Sequence, residues 1–338
     1  MKQIAQTLLA AAMACVAAGT ASAATLDTVK QRGVLNCGSN TGLAGFGLPD
    51  AQGNWTGLDV DYCRAIAAAI FNDATKVKFA ALNANNRFTA LQSGDIDVLV
   101  RNTTWTSSRD TQQAFNAAAV NYYDGQGFMV RKSLKINSAL ELNDAAICVQ
   151  QGTTTELNLA DYFRANRMRL KTVTFQSYDE ALKAYETSRC DAFTTDASQL
   201  YATRLKLAKP EDHVVLPEII SKEPLGPFVR HGDDQWFDIV KWVHYAMLNA
   251  EELNVNKANV DDQMKSDNPE IKRLLGVEQN FGEQLGLTKD WVYRIVKLVG
   301  NYGDVFDRNV GKDSPLKITR GLNALWTKSG IQYAPPLR

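Results

Sequence analysis

The residues best suited to chemistry concentrate in one short segment, residues 100–110 (VRNTTWTSSRD). It combines the amide of Asn102, the hydroxyl of Thr104, the indole of Trp105 and the guanidinium of Arg109. An arginine beside hydroxyls and free N–H groups suits a carboxylate, because its planar fork matches two oxygens. The same composition is typical of a polar loop that caps a helix beginning near Arg109. The segment alone leaves both interpretations open.

A second polar segment, residues 151–156 (QGTTTE), follows a predicted strand and opens a predicted helix. The free N–H groups of a helical first turn attract anions, so Thr153 and Thr154 are candidate ligand contacts. Thr153 and Glu156 also have the spacing of a capping box, which would use the Thr153 hydroxyl for the helix itself.

The third candidate is Asp196, which directly follows a predicted strand over residues 192–195. A carboxylate there can pair with an ammonium group, or it can cap the next helix. Asp196 and Arg109 together indicate a more specific class of ligand. One half of the chain offers a cation for a carboxylate and the other half an anion for an amine, which are the two charged groups of an α-amino acid.

Alternating strands and helices must position these residues. The first half predicts strands at residues 33–38, 76–80 and 96–100, with helices at 26–31, 59–71 and 86–92. A second run predicts strands at 146–150, 170–175 and 192–195, with helices at 155–166 and 178–187. Such β-α-β runs form parallel sheets with right-handed crossovers. Because a short segment, residues 122–127, joins the two runs, we expect two lobes with a ligand cleft at the carboxyl ends of the strands.

The last third of the chain has helical periodicity without strands between. We predict helices at residues 236–253, 259–275, 289–299 and 316–328, and a loop over residues 300–316 that is rich in Gly, Asn and Asp.

The N-terminus has the order of features of an export signal. Lys2 precedes an apolar run over residues 8–18, and Ala21-Ser22-Ala23 forms a small-x-small cleavage site. We therefore predict a signal peptide at residues 1–23, since the run is too short to span a bilayer. A buried N-terminal helix is one alternative. Acylation of Cys15 is another, although Ala12 stands where a lipobox usually has Leu.

Four cysteines follow the predicted cleavage site: Cys37, Cys63, Cys148 and Cys190. An even number of cysteines in an exported protein predicts disulfides. Of the three possible pairings, Cys37–Cys63 with Cys148–Cys190 is favoured because each bridge then stays within one lobe. A zinc site is the alternative, but the sequence has no C-x-x-C and no His close to a Cys.

Charge and missing motifs exclude several classes of protein. The chain has 37 Lys and Arg against 37 Asp and Glu, whereas a nucleic-acid-binding protein is expected to be basic. The sequence has no P-loop, no G-x-G-x-x-G after a strand, no G-x-S-x-G and no H-E-x-x-H. We therefore predict no cofactor, no metal and no catalytic residue.

Several separated blocks resemble one family, the family-3 extracellular solute-binding proteins, and within it the subgroup that binds L-amino acids generally. The blocks are CGSNTGLAGFGLPD, GLDVDYCRAIAAAIF, RNTTWTSSRD, YYDGQGFMVRK, QGTTTELNLADYF, ISKEPLGP, VGNYGDVFDRN and RGLNALW. They extend to the C-terminus and include a helical tail that shorter members of the family lack.

The resemblance implies an α/β fold of the two-lobed periplasmic binding protein type (type II). Each lobe would have a mostly parallel sheet flanked by helices. Lobe one would comprise residues 24–121 and 227–338, including the C-terminal extension, and lobe two residues 122–226. The lobes would close on the ligand by a hinge motion.

The resemblance also implies roles for the site residues. Arg109 would bind the ligand carboxylate with help from Thr104 and the backbone of Thr154, and Asp196 would bind the α-amino group with Asn102. In the lysine/histidine-type receptors of this family, two aromatic rings clamp the side chain of the ligand.

Leu43 and Ala84 align with those two aromatic rings. The absence of the two rings argues against a tight pocket for a cationic side chain and favours a roomier, less selective pocket, to which Trp105 would add a wall.

The partners implied are free L-amino acids and an ABC permease complex of the inner membrane. The protein would be a monomer in the periplasm of a Gram-negative bacterium. Two alternatives use the same scaffold: a periplasmic dehydratase and a sensory amino-acid receptor. The dehydratase would need a carboxylate or His free for acid–base work, and these motifs have none beyond Asp196.

Overall fold

The computed structural model describes residues 24–338 and contains two mixed β-sheets with flanking helices. The predicted signal peptide and both alternatives to it lie outside the described residues. The strands and α-helices in chain order are α1 (Thr25–Arg32), β1 (Leu35–Asn40), β2 (Leu48–Pro49), β3 (Trp55–Thr56), α2 (Leu58–Phe71), β4 (Val77–Leu82), α3 (Arg87–Ser93), β5 (Val98–Thr104), β6 (Phe115–Ala117), β7 (Tyr122–Asp124), β8 (Gln126–Arg131), β9 (Ala146–Gln150), α4 (Thr154–Ala165), β10 (Lys171–Phe175), α5 (Tyr178–Glu186), β11 (Ala192–Asp196), α6 (Ala197–Arg204), β12 (His213–Val215), β13 (Glu223–Arg230), α7 (Asp234–Glu252), α8 (Val260–Gln263), α9 (Pro269–Leu274), α10 (Trp291–Leu298) and α11 (Tyr302–Asn309).

The first sheet has the strand order β4-β1-β5-β13-β6, and β7 also pairs with β13. β1 runs parallel to β4 and β5, as the β-α-β pattern predicts, while β13 is antiparallel to β5, β6 and β7. The second sheet has the order β10-β9-β11-β8-β12. Its β9 is parallel to β10 and β11, and β8 is antiparallel to β11 and β12. The predicted parallel strands are thus present in both sheets, together with antiparallel strands that the sequence did not predict.

Strand β5 is longer than predicted, and this changes the position of the candidate site. The prediction ended the strand at Val100 and placed Asn102 and Thr104 in a loop, whereas β5 runs Val98–Thr104. The extension pairs with β13, where Thr104 lies opposite Leu225. β-Branched threonines favour this extended conformation.

The connection between the sheets is a pair of antiparallel strands. Both belong to the first sheet: β7 leads to β8 of the second sheet, and β13 follows its strand β12, with Asp124 opposite Glu223 and Tyr122 opposite Leu225. The predicted lobe boundaries at residues 121 and 227 stay a prediction, because they concern which residues move together.

The helical C-terminal third differs from its prediction at three places. The predicted helix 259–275 is interrupted, because Pro269 starts the separate helix α9 with Asn268 as its cap. The predicted loop 300–316 contains α11, which Asn301 and Asp304 start with a capping box. The predicted final helix 316–328 is wrong. That stretch has only single 3₁₀ turns, and Gly321 adopts a positive φ of 49° that interrupts any longer helix.

The larger core lies in the first lobe and extends into the C-terminal third. Helix α2 is buried along most of its length and packs against α7 and α10, whose Trp236 and Trp291 are almost completely buried. The C-terminal third therefore belongs to the same hydrophobic core as the first sheet.

Both sheets carry a disulfide, Cys37–Cys63 in the first lobe and Cys148–Cys190 in the second. This is the pairing that the sequence favoured. Within residues 24–338 no three His, Cys, Asp or Glu side chains converge into a cluster that could hold a metal ion. Over the same residues, no helix combines the length and the apolar character needed to cross a bilayer.

Candidate functional site

Arg109 is held in a fixed position beside the end of β5. It lies in a short π-helical turn (Ser108–Gln112) and is buried. One of its N–H groups donates to the backbone oxygen of Thr104 at 2.6 Å, and its guanidinium lies over the Phe88 ring, 5.2 Å from the centroid. Burial lowers the pKa of Arg109 to about 10, and the negative charges of Glu223 and Asp196 oppose that shift. The side chain is therefore cationic at neutral pH, with several donors free to bind an anion.

Asp196 ends strand β11 of the second lobe and is also buried. Its carboxylate accepts a hydrogen bond from the Asn102 amide at 3.4 Å, so the two lobes meet at this point. Burial raises the pKa of Asp196 well above its ordinary value, and the nearby charges of Asp124 and Glu223 raise it further. A cation bound beside Asp196 would favour its ionised form.

A β-bulge places Asn102 toward the second lobe. The register between β5 and β13 shifts between Gly226 and Pro227, and Asn102 adopts a φ of 28° that is unusual for a non-glycine residue. The Asn102 N–H donates to the Asp59 carboxylate at 2.8 Å, which satisfies the group that the bulge removes from the ladder. The Asn102 amide also accepts from the Asn40 amide at 2.8 Å.

The threonines assigned to the ligand have different surroundings. Thr104 and Thr154 face each other across the cleft, with 3.3 Å between their hydroxyl oxygens, and both donate to Glu223. The Thr153 hydroxyl instead caps helix α4, because it accepts from the Glu156 N–H at 3.2 Å and donates to the Gln150 carbonyl at 2.7 Å. The capping interpretation thus describes the Thr153 side chain, and its backbone remains a candidate contact.

Trp105, Leu43 and Ala84 were the candidates for the side-chain pocket. Trp105 follows β5 with its N–H bound to the Pro224 carbonyl, and its side chain is 45% exposed. Leu43 and Ala84 are buried, and Leu43 belongs to the large core of the first lobe.

The site includes charged residues that the sequence reasoning did not select. Glu223 and Asp59 are almost completely buried, and so are Arg87 and Arg101. Arg101 lies within residues 100–110, the segment that contains Arg109, and Asp59 lies within the block GLDVDYCRAIAAAIF. Both residues could therefore have been selected from the sequence. Burial lowers the pKa of Arg101 to about 10 and raises that of Asp59 to about 6. The cleft is therefore a concentration of buried charges of both signs.

The sequence matches a family model, the bacterial extracellular solute-binding proteins, family 3, over residues 35–259. The chain belongs to this family. The match begins at β1 and includes both sheets and the residues of the cleft described above.

Two relatives match this chain along almost its whole length. The general L-amino acid-binding periplasmic protein AapJ of Rhizobium johnstonii is 61% identical over 332 residues, which cover 98% of this chain and 97% of the relative. The glutamate/glutamine/aspartate/asparagine-binding protein BztA of Rhodobacter capsulatus is 54% identical over 328 residues, which cover 97% of both chains. The C-terminal extension is therefore shared with these relatives.

A solved structure has the same fold. It is an ABC transporter periplasmic binding protein from Brucella ovis with glutathione bound, and it superposes with a TM-score of 0.92 at 61% identity. The superposition covers 94% of this chain and 100% of that chain. The fold is therefore the two-lobed α/β fold of the family-3 binding proteins.

Proposed function

We propose that the chain is the periplasmic binding component of an ABC amino-acid uptake system, and that it binds free L-amino acids in the cleft between its lobes. The observation that carries the proposal is the burial of opposite charges on facing lobes, Arg109 beside β5 and Asp196 at the end of β11. An α-amino acid has one group for each charge.

Arg109 is proposed to bind the α-carboxylate. Its contact with the Thr104 carbonyl uses one donor and holds the guanidinium in place, which leaves its other N–H groups for two carboxylate oxygens. The backbone N–H groups of Thr153 and Thr154, at the start of helix α4, are proposed to contribute further donors. A prepositioned guanidinium costs little side-chain entropy on binding.

Asp196 is proposed to bind the α-ammonium group, with Asn102 oriented beside it. Because burial disfavours the isolated Asp196 carboxylate, an incoming cation gains from neutralising it. The Asn102 amide, which already contacts Asp196, would fix the direction of the carboxylate.

The proposed range of ligands is broad. Leu43 and Ala84 are proposed to line the pocket with aliphatic side chains in place of two aromatic rings, and Trp105, which is partly exposed, would complete the wall from the rim. The names of AapJ and BztA refer to several amino acids, and the Brucella relative holds glutathione, which is larger than any amino acid. These similarities favour a pocket that selects the α-amino and α-carboxylate groups more than the side chain.

We further propose that the protein works as a monomer that closes by a hinge motion between residues 24–121 with 227–338 and residues 122–226. The closed form would be the shape that an inner-membrane permease recognises. Binding without turnover is proposed, so the amino acid should be recovered unchanged after incubation.

The experiment is a thermal-shift screen of the chain without residues 1–23 against all the common L-amino acids. A ligand held at about one hundred times its dissociation constant adds about 2.7 kcal/mol to the free energy of unfolding. We expect acidic, polar and aliphatic amino acids to raise the midpoint temperature. A screen in which no amino acid does so would contradict the proposed function.

A further inference from the structure

Glu223 is a buried carboxylate at the point where the two lobes meet. It is 1% exposed and begins strand β13, the strand that returns from the second lobe to the first sheet. Its backbone lies opposite Asp124 of β7, in the other strand of the connection between the lobes.

Four side chains donate to Glu223, and they come from both lobes. One carboxylate oxygen accepts from the hydroxyl of Thr104 at 2.5 Å in lobe one and from the hydroxyl of Thr154 at 2.9 Å in lobe two. The other oxygen accepts from the Asn158 amide at 2.7 Å and from the Ser221 hydroxyl at 2.7 Å.

Both oxygens of Glu223 thus have two donors each, which is the full capacity of an ionised carboxylate. None of the described Lys, Arg or His side chains forms a salt bridge with it. The carboxylate is therefore held by neutral donors whose positions depend on how the lobes are arranged.

We propose that Glu223 is a positioning residue that clasps the lobes together in the closed conformation and so sets how long any ligand stays bound. The proposal rests on the proposed function, since it concerns the same cleft. Glu223, Thr154 and Asn158 all lie within residues 122–226, so opening must break the hydrogen bond that joins Glu223 to Thr104 of lobe one. Breaking it leaves a buried carboxylate with a missing donor, which is unfavourable.

The clasp also determines what the two threonines offer to a ligand. Each hydroxyl has one hydrogen, and both hydrogens are directed at Glu223. The hydroxyl oxygens of Thr104 and Thr154 therefore retain only lone pairs, which accept hydrogen bonds. The donors for a ligand carboxylate must then come from Arg109 and from backbone N–H groups.

The test compares Glu223→Ala with wild type by stopped-flow and calorimetric titration of glutamate, glutamine and alanine. Because the clasp acts on closure, the variant should release each ligand faster by a similar factor and associate at nearly the wild-type rate. Bonds to a charged group correspond to a loss of about ten- to a hundredfold in affinity. Thr104→Val, which removes the donor from lobe one, should show an acceleration of the same kind, whereas Asn158→Ala removes a donor within lobe two and should show a smaller one.

The control is Leu157→Ala, because Leu157 is exposed on the same helix as Asn158. It should leave the dissociation rate unchanged. If Glu223→Ala does not fold, the Thr104→Val variant decides the question by the same measurement. Wild-type dissociation rates in the variants, or a loss confined to one of the three ligands, would overturn the clasp. A wild type that binds none of them would instead refute the proposed function.

Discussion

At the scale of single residues, the main feature is a set of buried charges whose protonation is coupled to the ligand. Burial and the neighbouring acids Asp124 and Glu223 raise the pKa of Asp196, whereas a bound ammonium group would lower it. Ligand binding should therefore release a proton in the pH range where the free protein holds Asp196 protonated. Affinity should be highest at alkaline pH and fall as the pH drops through the raised pKa of Asp196.

The first prediction concerns this pH dependence. Calorimetry from about pH 8 to about pH 5 should show amino-acid affinity decreasing toward acid, where an ordinary aspartate would still be ionised. Asp196→Asn should bind weakly and largely lose that dependence, leaving only what Asp59 and Asp124, each with a pKa raised to about 6, contribute. An unchanged pH profile in Asp196→Asn would show that another group controls it.

Sequence reasoning selected Arg109 and Asp196 as site residues but did not select Glu223, because the local sequence pattern differs around these residues. Arg109 and Asp196 stand close to predicted strand ends, where cleft residues are expected. Glu223 lies before a proline in a strand that was not predicted. Three of its four donors are 65 to 119 residues away along the chain, so no local pattern could reveal them.

At the scale of elements, the C-terminal extension contacts the first connection between the lobes. The Asn323 side chain accepts from the Tyr123 N–H at 2.7 Å and donates to the Tyr123 carbonyl at 3.0 Å, as a neighbouring strand would. Tyr302 and Gln332 donate to the carbonyls of Asn121 and Val120. The extension thus fixes the backbone of residues 120–123 on the lobe-one side, so bending should begin beyond Tyr123.

The second prediction tests that contact. Asn323→Ala leaves two backbone groups of Tyr123 without partners, which should lower the free energy of unfolding by about 1–3 kcal/mol. Urea denaturation measures the change. Leu322→Ala is the control, since Leu322 is an exposed neighbour and should change stability by no more than about 0.5 kcal/mol. Equal effects of the two substitutions would argue against the contact.

The elements with simple periodicity were predictable, and those set by distant contacts were not. Helix α2 and strand β9 lie within one residue of their predicted bounds. The helices of the C-terminal third were wrong in part because capping by Asn301 and the proline at 269 outweigh a weak apolar pattern. Strands β8 and β13 went unpredicted, because their pairing partners are remote in sequence.

At the scale of the whole molecule, the two lobes come close together at Gly152. This glycine precedes helix α4 with a φ of 74°, and a Cβ added there would lie 2.5 Å from the Asn85 side-chain oxygen in the other lobe. Asn85 also donates to the Gln176 carbonyl at 3.3 Å across the same contact. A side chain at position 152 would therefore displace the Asn85 side chain, and with it this contact between the lobes.

The third prediction uses two glycines that share a backbone conformation. Gly152→Ala and Gly53→Ala both put a side chain at positive φ, and Gly53 has open space around it. Both should lower the free energy of unfolding by roughly 1 kcal/mol, but only Gly152→Ala should weaken amino-acid binding, by several-fold, in calorimetry. Equal affinities in the two variants would mean that Asn85 moves aside without consequence.

The central claim is that a free amino acid joins the two lobes through Arg109 and Asp196. Calorimetry with glutamine, its α-amide and its N-acetyl derivative, on wild type, Arg109→Ala and Asp196→Ala, tests it most directly. Removing one partner of a buried charge pair costs on the order of 2–5 kcal/mol, or roughly thirty- to several-thousand-fold in affinity. Wild type should bind only the free amino acid tightly, and both variants should lose that binding while keeping their folded circular-dichroism spectra. Tight binding of either blocked ligand by wild type, or of free glutamine by either variant, would contradict the claim.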